Sequence, residues 1–110
     1  MSPARLFLLQ RASAAVLAVA VLVHLVTILV AVRGGLTAGE ILGRTAGNLG
    51  WLAFYVLFVV AASIHAPIGL RAILREWAGW RSWSCDVAMA LFAALLLLLG
   101  LRAAWAVFAA

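Results

Sequence analysis

The chain has 110 residues, of which 69% are hydrophobic, and its mean hydropathy is +1.25. It contains eight arginines, no lysine, three acidic residues and one cysteine, for a net charge of +5. Such hydropathy excludes an ordinary soluble domain, and arginines between apolar runs indicate membrane orientation rather than nucleic-acid binding. The single cysteine, Cys85, excludes an internal disulfide, a thiolate metal cluster and the CxxCH attachment of a c-type haem, and we predict a packing role for it.

Three apolar runs are long enough to cross a bilayer, which takes about 20 residues of helix. They cover residues 12–32, 49–70 and 87–108. Helix is the only spanning structure open to them, because three strands cannot close a barrel. A cleavable signal peptide is a weak alternative for the first run, which is too long for one and is followed by further spans. We therefore predict an all-α integral membrane protein in which residues 1–110 form one domain.

Two short connections join the predicted spans. The first, residues 33–50, contains six glycines, and within it Thr37 and Glu40 stand at the spacing of a capping box. This spacing predicts a short interfacial helix through Arg44. The second connection, residues 75–86, contains three tryptophans that fit an aromatic belt at the level of the lipid headgroups. They are Trp77, Trp80 and Trp83.

The arginines are distributed unevenly between the two ends of the predicted spans. Five lie at the end that holds the N-terminus and the second connection, and two lie in the first connection. Cytoplasmic loops carry the excess of basic residues, so we predict a cytoplasmic N-terminus for a multi-pass protein of the cell inner membrane. The five are Arg5, Arg11, Arg71, Arg75 and Arg81, and the two are Arg33 and Arg44.

The two histidines of the chain, His24 and His65, both fall inside predicted spans. Ionisable groups at that depth are costly and usually mark function. The simpler alternative is an imidazole that bonds a neighbouring carbonyl and helps the helices to pack. Neutral imidazole is a strong ligand for haem iron. Haem ligation is therefore the functional hypothesis for both side chains.

Small residues flank His65 on its own helical face, with Ala61 one turn before it and Gly69 one turn after it. They leave room for a macrocycle beside the helix, although small residues also allow close approach of two helices. Pro67 removes a backbone hydrogen bond and is expected to bend the helix. Around His24 the small neighbours are Ala20 and Thr27, a weaker signal in an alanine-rich chain.

The depths of the two histidines differ. His24 lies about 20 Å from the predicted inner edge, and His65 about 9 Å from the same edge. Two ligands of one iron must lie at nearly equal depth, so each histidine needs a partner from another chain. A second copy related by a two-fold axis would supply both and stack two haems. A different partner subunit with its own histidines would serve equally well.

Residues 65–77, with the sequence HAPIGLRAILREW, resemble the second-helix signature of the cytochrome b membrane-anchor subunits of succinate dehydrogenase and fumarate reductase. The signature positions are filled by His65, Gly69, Arg71, Glu76 and Trp77. Residues 10–14, QRASA, resemble the Arg-x-Ser segment that opens the first helix of the family. The sequence departs from the family pattern in four residues. These are Phe7 in place of a serine, Gln10 in place of a histidine, Glu76 in place of aspartate, and Trp77 in place of phenylalanine or tyrosine.

The resemblance implies that His65 is an axial ligand of haem b. It places Arg11, Ser13 and the border from Arg71 to Trp77 near an inner quinone pocket and the haem propionates. Anchors with two haems resemble two fused halves, each with one histidine from its first helix and one from its second. This chain, with His24 and His65, looks like one such half.

The polar residues near the spans have two interpretations each. Arg11 and Ser13 are candidate hydrogen-bond donors to a quinone carbonyl. Alternatively, Arg11 is a charge that orients the protein in the membrane and Ser13 provides a helix-capping hydroxyl. Arg71 is predicted to pair with a haem propionate or to extend to the lipid headgroups. Arg102 is expected to pair with an outer haem propionate or, likewise, to extend to the headgroups.

The two acidic residues near the second connection are assigned separately. Glu76 is predicted to relay protons to a quinone, or to form a surface pair with Arg75 or Arg81. Asp86 is predicted to cap the third helix at its N-terminus.

These expectations combine into a haem b-binding membrane anchor that passes electrons between iron–sulfur clusters and membrane quinone. Its expected partners are flavoprotein and iron–sulfur subunits on the cytoplasmic face, a second anchor chain, identical or related, and membrane lipid. The protein is not a catalyst alone, because the redox chemistry belongs to the cofactors. Two alternatives remain: a haem-free structural anchor, and a small transporter subunit in which the histidines relay protons. The transporter would require acidic residues within the spans, and none occur there.

Overall fold

The computed structural model describes residues 1–110 as four helices without a strand. They are α1 (Pro3–Gly34), α2 (Ala38–Thr45), α3 (Leu49–Trp77) and α4 (Trp83–Ala109). Helices α1, α3 and α4 are long and apolar enough to cross a membrane. The prediction of an all-α membrane protein with three spanning helices is therefore confirmed. The cytoplasmic location of the N-terminus stays a prediction from the arginine distribution.

Helix α1 begins well before the predicted apolar run. Ser2 is its N-cap and accepts a hydrogen bond from the backbone N–H of Arg5 at 3.2 Å, with Pro3 in the first helical turn. At about 1.5 Å per residue, the 32 residues of α1 measure about 48 Å, more than the roughly 30 Å hydrocarbon core. Charged residues end an apolar run without ending a helix, so α1 extends beyond the predicted span.

The predicted short helix in the first connection is present as α2. Thr37 Oγ1 accepts the Glu40 N–H at 3.2 Å, and the Thr37 N–H donates to Glu40 Oε2 at 3.3 Å, which completes the capping box. Gly35 has φ +127°, and a Cβ there would overlap the Glu40 carboxylate. The end of α2 is held against α4, because Thr45 Oγ1 donates to the Val107 carbonyl at 3.0 Å.

The second connection is a tight turn closed by main-chain carbonyls. Gly79, with φ +68°, lets the chain leave α3. Arg75 Nη1 donates to the Arg81 carbonyl and Arg81 Nε donates to the Arg75 carbonyl, both at 3.2 Å. Helix α4 starts at Trp83 with Ser82 as N-cap, so the prediction that Asp86 caps this helix was wrong. The helix begins one turn earlier than hydropathy indicated, because Trp83 and Ser84 join it.

Helix α3 is central and packs against both α1 and α4, which contact each other little. The buried residues are small, as expected where helices approach closely in a membrane. They include Ser13, Ala20, Ala61, Ser63, Cys85 and Ala104. Cys85 is 0% exposed and its thiol is free, in agreement with a packing role. A Cβ at Gly100 would overlap the Val59 side chain, so α3 and α4 meet closely there.

Candidate functional site

Residues 10–14 and 65–77, the two segments with the family resemblance, face each other across the contact between α1 and α3. Ser13 is buried on α1, and its Oγ lies 3.5 Å from Nδ1 of His65 on α3. One turn earlier on α1, Gln10 lies over Gly69, where a Cβ would come within 3.2 Å of Gln10 Nε2. The fold therefore brings together His65, Gly69 and Ser13 from the predicted site and adds Gln10 to them.

Ser13 lies between the Gln10 carbonyl and the ring of His65. Its Oγ donates to the Gln10 carbonyl at 3.1 Å, and the same oxygen lies 3.5 Å from Nδ1 of His65, at the long end of the hydrogen-bond range. The tautomer in which Nδ1 donates to Ser13 is the one that leaves Nε2 free to bind a metal. A hydrogen bond of this kind orients a histidine whose other nitrogen binds a metal.

The surroundings of His65 provide a test of whether a macrocycle fits. Gln10 Oε1 is buried and accepts no hydrogen bond, although buried amide oxygens normally have a donor. Gly69 has no Cβ, and only the far end of the Gln10 side chain covers it. By contrast, Ala61 is 5% exposed and already packed within the chain. The glycine side of His65 is thus covered only by a movable side chain, whereas the alanine side is occupied by helix packing.

His24 lies in an aromatic cluster at a different level of the bundle. Its ring meets Tyr55 and Phe58 of α3 edge to face, with centroid distances of 6.2 and 5.6 Å. Trp51 and Phe54 extend the cluster. Neither nitrogen of His24 has a hydrogen-bond partner within the chain, although its ring is only half-buried. Its small neighbour Ala20 is buried, so helix packing occupies that side.

These contacts give the separation of the two histidines along the bundle. Tyr55 and Phe58 precede His65 by ten and seven residues on α3. At 1.5 Å per residue, His24 is displaced from His65 by about 10–15 Å along the helix axis. This agrees with the different depths expected from the sequence. One chain therefore presents one imidazole at each of two levels, and no group of three or more metal-binding side chains.

A cavity of about 530 Å³ lies on another side of α3, between the N-terminal part of α1 and the first turns of α4. Its walls are mainly apolar and its volume is in the range of small-molecule sites. Arg71 and Asp86 provide charge at this cavity and form an ion pair, with Arg71 Nε 2.6 Å from Asp86 Oδ1. The other walls include Leu6, Leu9, Ile64, Pro67, Ile68 and Met89.

A family model, described as succinate dehydrogenase/fumarate reductase transmembrane subunit, matches residues 2–101. The chain belongs to this family. No curated protein and no solved structure matches it. The family assignment confirms the resemblance seen in residues 10–14 and 65–77, and it makes the chain a multi-pass membrane subunit.

The remaining predicted site residues of this transmembrane subunit lie apart from the His65 contact. Arg11 is exposed on α1, with its guanidinium 5.9 Å from the Phe7 ring centre. Trp77 ends α3 and is 85% exposed. Neither residue lines the cavity, and Ser13 does not line it either. Their predicted contacts with a quinone stay predictions.

The charged residues of the second connection are arranged differently from the sequence expectation. Glu76 forms no ion pair with Arg75 or Arg81. The guanidinium group of each of these arginines bonds the main-chain carbonyl of the other. Arg71 pairs with Asp86, a partner that sequence reasoning missed. That pairing depends on where α4 starts. Gln10 could have been found, since it lies three residues before Ser13 on the same helical face.

Proposed function

We propose that this subunit holds haem b through His65 and anchors the catalytic subunits of a succinate dehydrogenase or fumarate reductase type complex. The observation that supports this most is the contact between Ser13 and His65. It places a buried hydroxyl 3.5 Å from Nδ1, the ring nitrogen opposite the one that would bind the iron. The buried oxygen of Gln10, which lacks a partner beside Gly69, supports a ligand at the same place.

Each side chain near His65 has a separate part in this proposal. His65 would hold the iron through Nε2, and Ser13 would orient the ring from Nδ1. Gly69 would leave space for the macrocycle, and the movable end of Gln10 would make way for it. When bound, haem b supplies a one-electron carrier between iron–sulfur clusters and quinone.

A second histidine for the same iron would come from another chain. His24 is displaced by about 10–15 Å along the bundle, so it cannot bind the same iron as His65. We assign it to a second haem, since an imidazole without a hydrogen-bond partner in lipid is costly unless it binds something. A second anchor chain, identical or related, would supply a histidine at each level.

The quinone site belongs at the end of the bundle that holds the N-terminus and the second connection. The cavity beside Arg71 has mainly apolar walls for the quinone ring, and Nη1 and Nη2 of Arg71 are not used by Asp86. Arg11, which the family resemblance favours, lies on the outside of α1 instead. Flavoprotein and iron–sulfur subunits would dock at this end, where five of the eight arginines lie.

The proposal is tested on the full chain purified from its membrane with the subunits that accompany it. A reduced-minus-oxidised absorbance spectrum with a haem assay should show haem b in stoichiometric amount. Quinone reduction by the complex should fall in Arg71→Gln or in Arg11→Gln, and the more affected variant identifies the quinone donor. Arg44→Gln, at the other end of the bundle, is the matched control. Absence of a Soret band from an intact complex would contradict haem binding.

A haem-free structural anchor is the second candidate function. One observation favours it: Ala61 and Ala20, the small residues beside the two histidines, are both buried within the chain itself. Under this interpretation the histidines only help the helices to pack. Such a subunit would retain its catalytic partners and show the same spectrum after either histidine is replaced.

A further inference from the structure

A second, smaller pocket lies beside Arg71 at the end of the bundle that holds the second connection. Its volume is about 270 Å³, and its lining contains one apolar residue, Ala72. The other four are charged, three arginines against one glutamate. They are Arg71, Arg75, Arg81 and Glu76. We call it the arginine pocket. Arg71 is also the proposed quinone donor, but the proposed haem and quinone chemistry does not account for Arg75 and Arg81.

The positive charge of the arginine pocket is only partly balanced within the chain. Asp86 balances Arg71. Arg75 and Arg81 donate to main-chain carbonyls, which have no net charge. Glu76 makes no ion pair with either of them. The pocket therefore keeps a net positive charge and has unused guanidinium N–H groups that a singly charged anion can accept from.

Two further features favour an anion at the same end. Ser82 makes no side-chain cap hydrogen bond at the start of α4, and the N-terminus of a helix attracts negative charge. Trp77 follows the lining residue Glu76 in the chain, Trp83 comes two residues after Arg81, and the two tryptophans are 85% and 76% exposed. Exposed tryptophans at helix ends mark the level of the lipid headgroups. The pocket thus lies where phospholipid phosphates are found.

We propose that the arginine pocket binds the headgroup phosphate of an anionic phospholipid. Basic pockets at the ends of membrane helices are suited to such headgroups. Arg75 and Arg81 would hold the phosphate by charge and hydrogen bonds. The bound lipid would bridge α3 and the start of α4 and stabilise the turn between them.

The test measures lipid retained by the full chain in detergent, by native mass spectrometry. The purified protein is titrated with phosphatidylglycerol, with phosphatidylcholine and with inorganic phosphate as a competitor. Phosphatidylglycerol should be retained in preference to phosphatidylcholine, and inorganic phosphate should not displace it. Equal retention of the two lipids would overturn the proposal. Displacement by inorganic phosphate would assign the pocket to a free anion and overturn the lipid assignment.

The matched variants separate charge from loop structure. Arg75→Gln with Arg81→Gln should weaken retention about 30-fold, about fivefold for each arginine near an anionic headgroup. Arg33→Gln with Arg44→Gln removes the same charge at the other end and should leave retention unchanged. Arg75→Lys with Arg81→Lys keeps the charge and should retain the lipid. Equal retention by the two glutamine pairs, or loss in the lysine pair, would contradict the site. The haem spectrum of each variant reports independently on the haem proposal.

Discussion

The two histidines of this subunit lie in different surroundings, although the sequence presents them alike. His65 has a buried hydroxyl on Nδ1, a glycine one turn away and an unpaired amide oxygen nearby. His24 is surrounded by aromatic rings and has no hydrogen-bond partner. The difference shows that the neighbouring helix orients a histidine in a membrane helix. The sequence around the histidine does not specify those contacts. His65 is therefore the better prepared ligand.

The largest effect is expected from His65→Ala. This variant removes the only imidazole that this chain presents at that level, so the corresponding haem should be lost almost completely. The measurement is the reduced-minus-oxidised spectrum together with the haem-to-protein ratio. A spectrum like that of the wild type would show that His65 is a packing residue and that it is not better prepared than His24 to bind haem.

The next effect separates ligation from packing at His24. His24→Ala should remove a second haem and lower stability, because each edge-to-face pair contributes about 0.5–1.5 kcal/mol. His24→Phe preserves the contacts with Tyr55 and Phe58, so it should lose the haem and keep the stability. Haem content and thermal unfolding in detergent measure the two effects. If His24→Phe keeps every haem, His24 has only a packing role, and haem binds only at the level of His65.

A smaller effect is expected from Ser13→Ala. Loss of a hydrogen bond that orients a metal-binding histidine typically costs about 10- to 100-fold in metal affinity, and the midpoint potential of the haem should shift as well. Ser63→Ala is the matched control, since Ser63 is equally buried and bonds only the Val59 carbonyl. Potentiometric titration of both variants gives the comparison. Identical potentials in the two variants would remove Ser13 from the site.

The smallest effect on stability is expected from Gly69→Ala. The added Cβ would meet only the movable end of Gln10, and alanine favours the helix by about 0.8–1 kcal/mol over glycine. The fold should persist while haem affinity falls. Gly100→Ala should do the opposite, because its Cβ overlaps Val59 and overpacking costs about 1–3 kcal/mol. Haem binding unchanged in Gly69→Ala would place the macrocycle elsewhere.

Local sequence was sufficient for several features of the fold. The long apolar runs predicted three spanning helices, because each buries its backbone hydrogen bonds within itself. The spacing of Thr37 and Glu40 predicted the capped start of α2, since those bonds join residues three apart. By contrast, the start of α4 was missed. This helix begins at Trp83, after Ser82 at the N-cap position, in a stretch too polar to be counted as a span.

The candidate site was predicted residue by residue but could not be assembled from the sequence. His65, Gly69 and Ser13 were named, yet Ser13 and His65 are 52 residues apart in the chain. The ion pair between Arg71 and Asp86 likewise crosses the turn between α3 and α4. Such contacts depend on how each helix is rotated about its axis and shifted against its neighbour.

The sequence by itself determined that this chain crosses a membrane, which family it belongs to, and which residues have chemistry to offer. Hydrophobicity and short-range hydrogen bonds are local properties, so they can be derived from the order of residues. Only the tertiary structure decided the contact of Ser13 with His65, the aromatic setting of His24 and the cavity beside Arg71. Those features arise where side chains from separate helices meet, and the rotation and offset of packed helices set them.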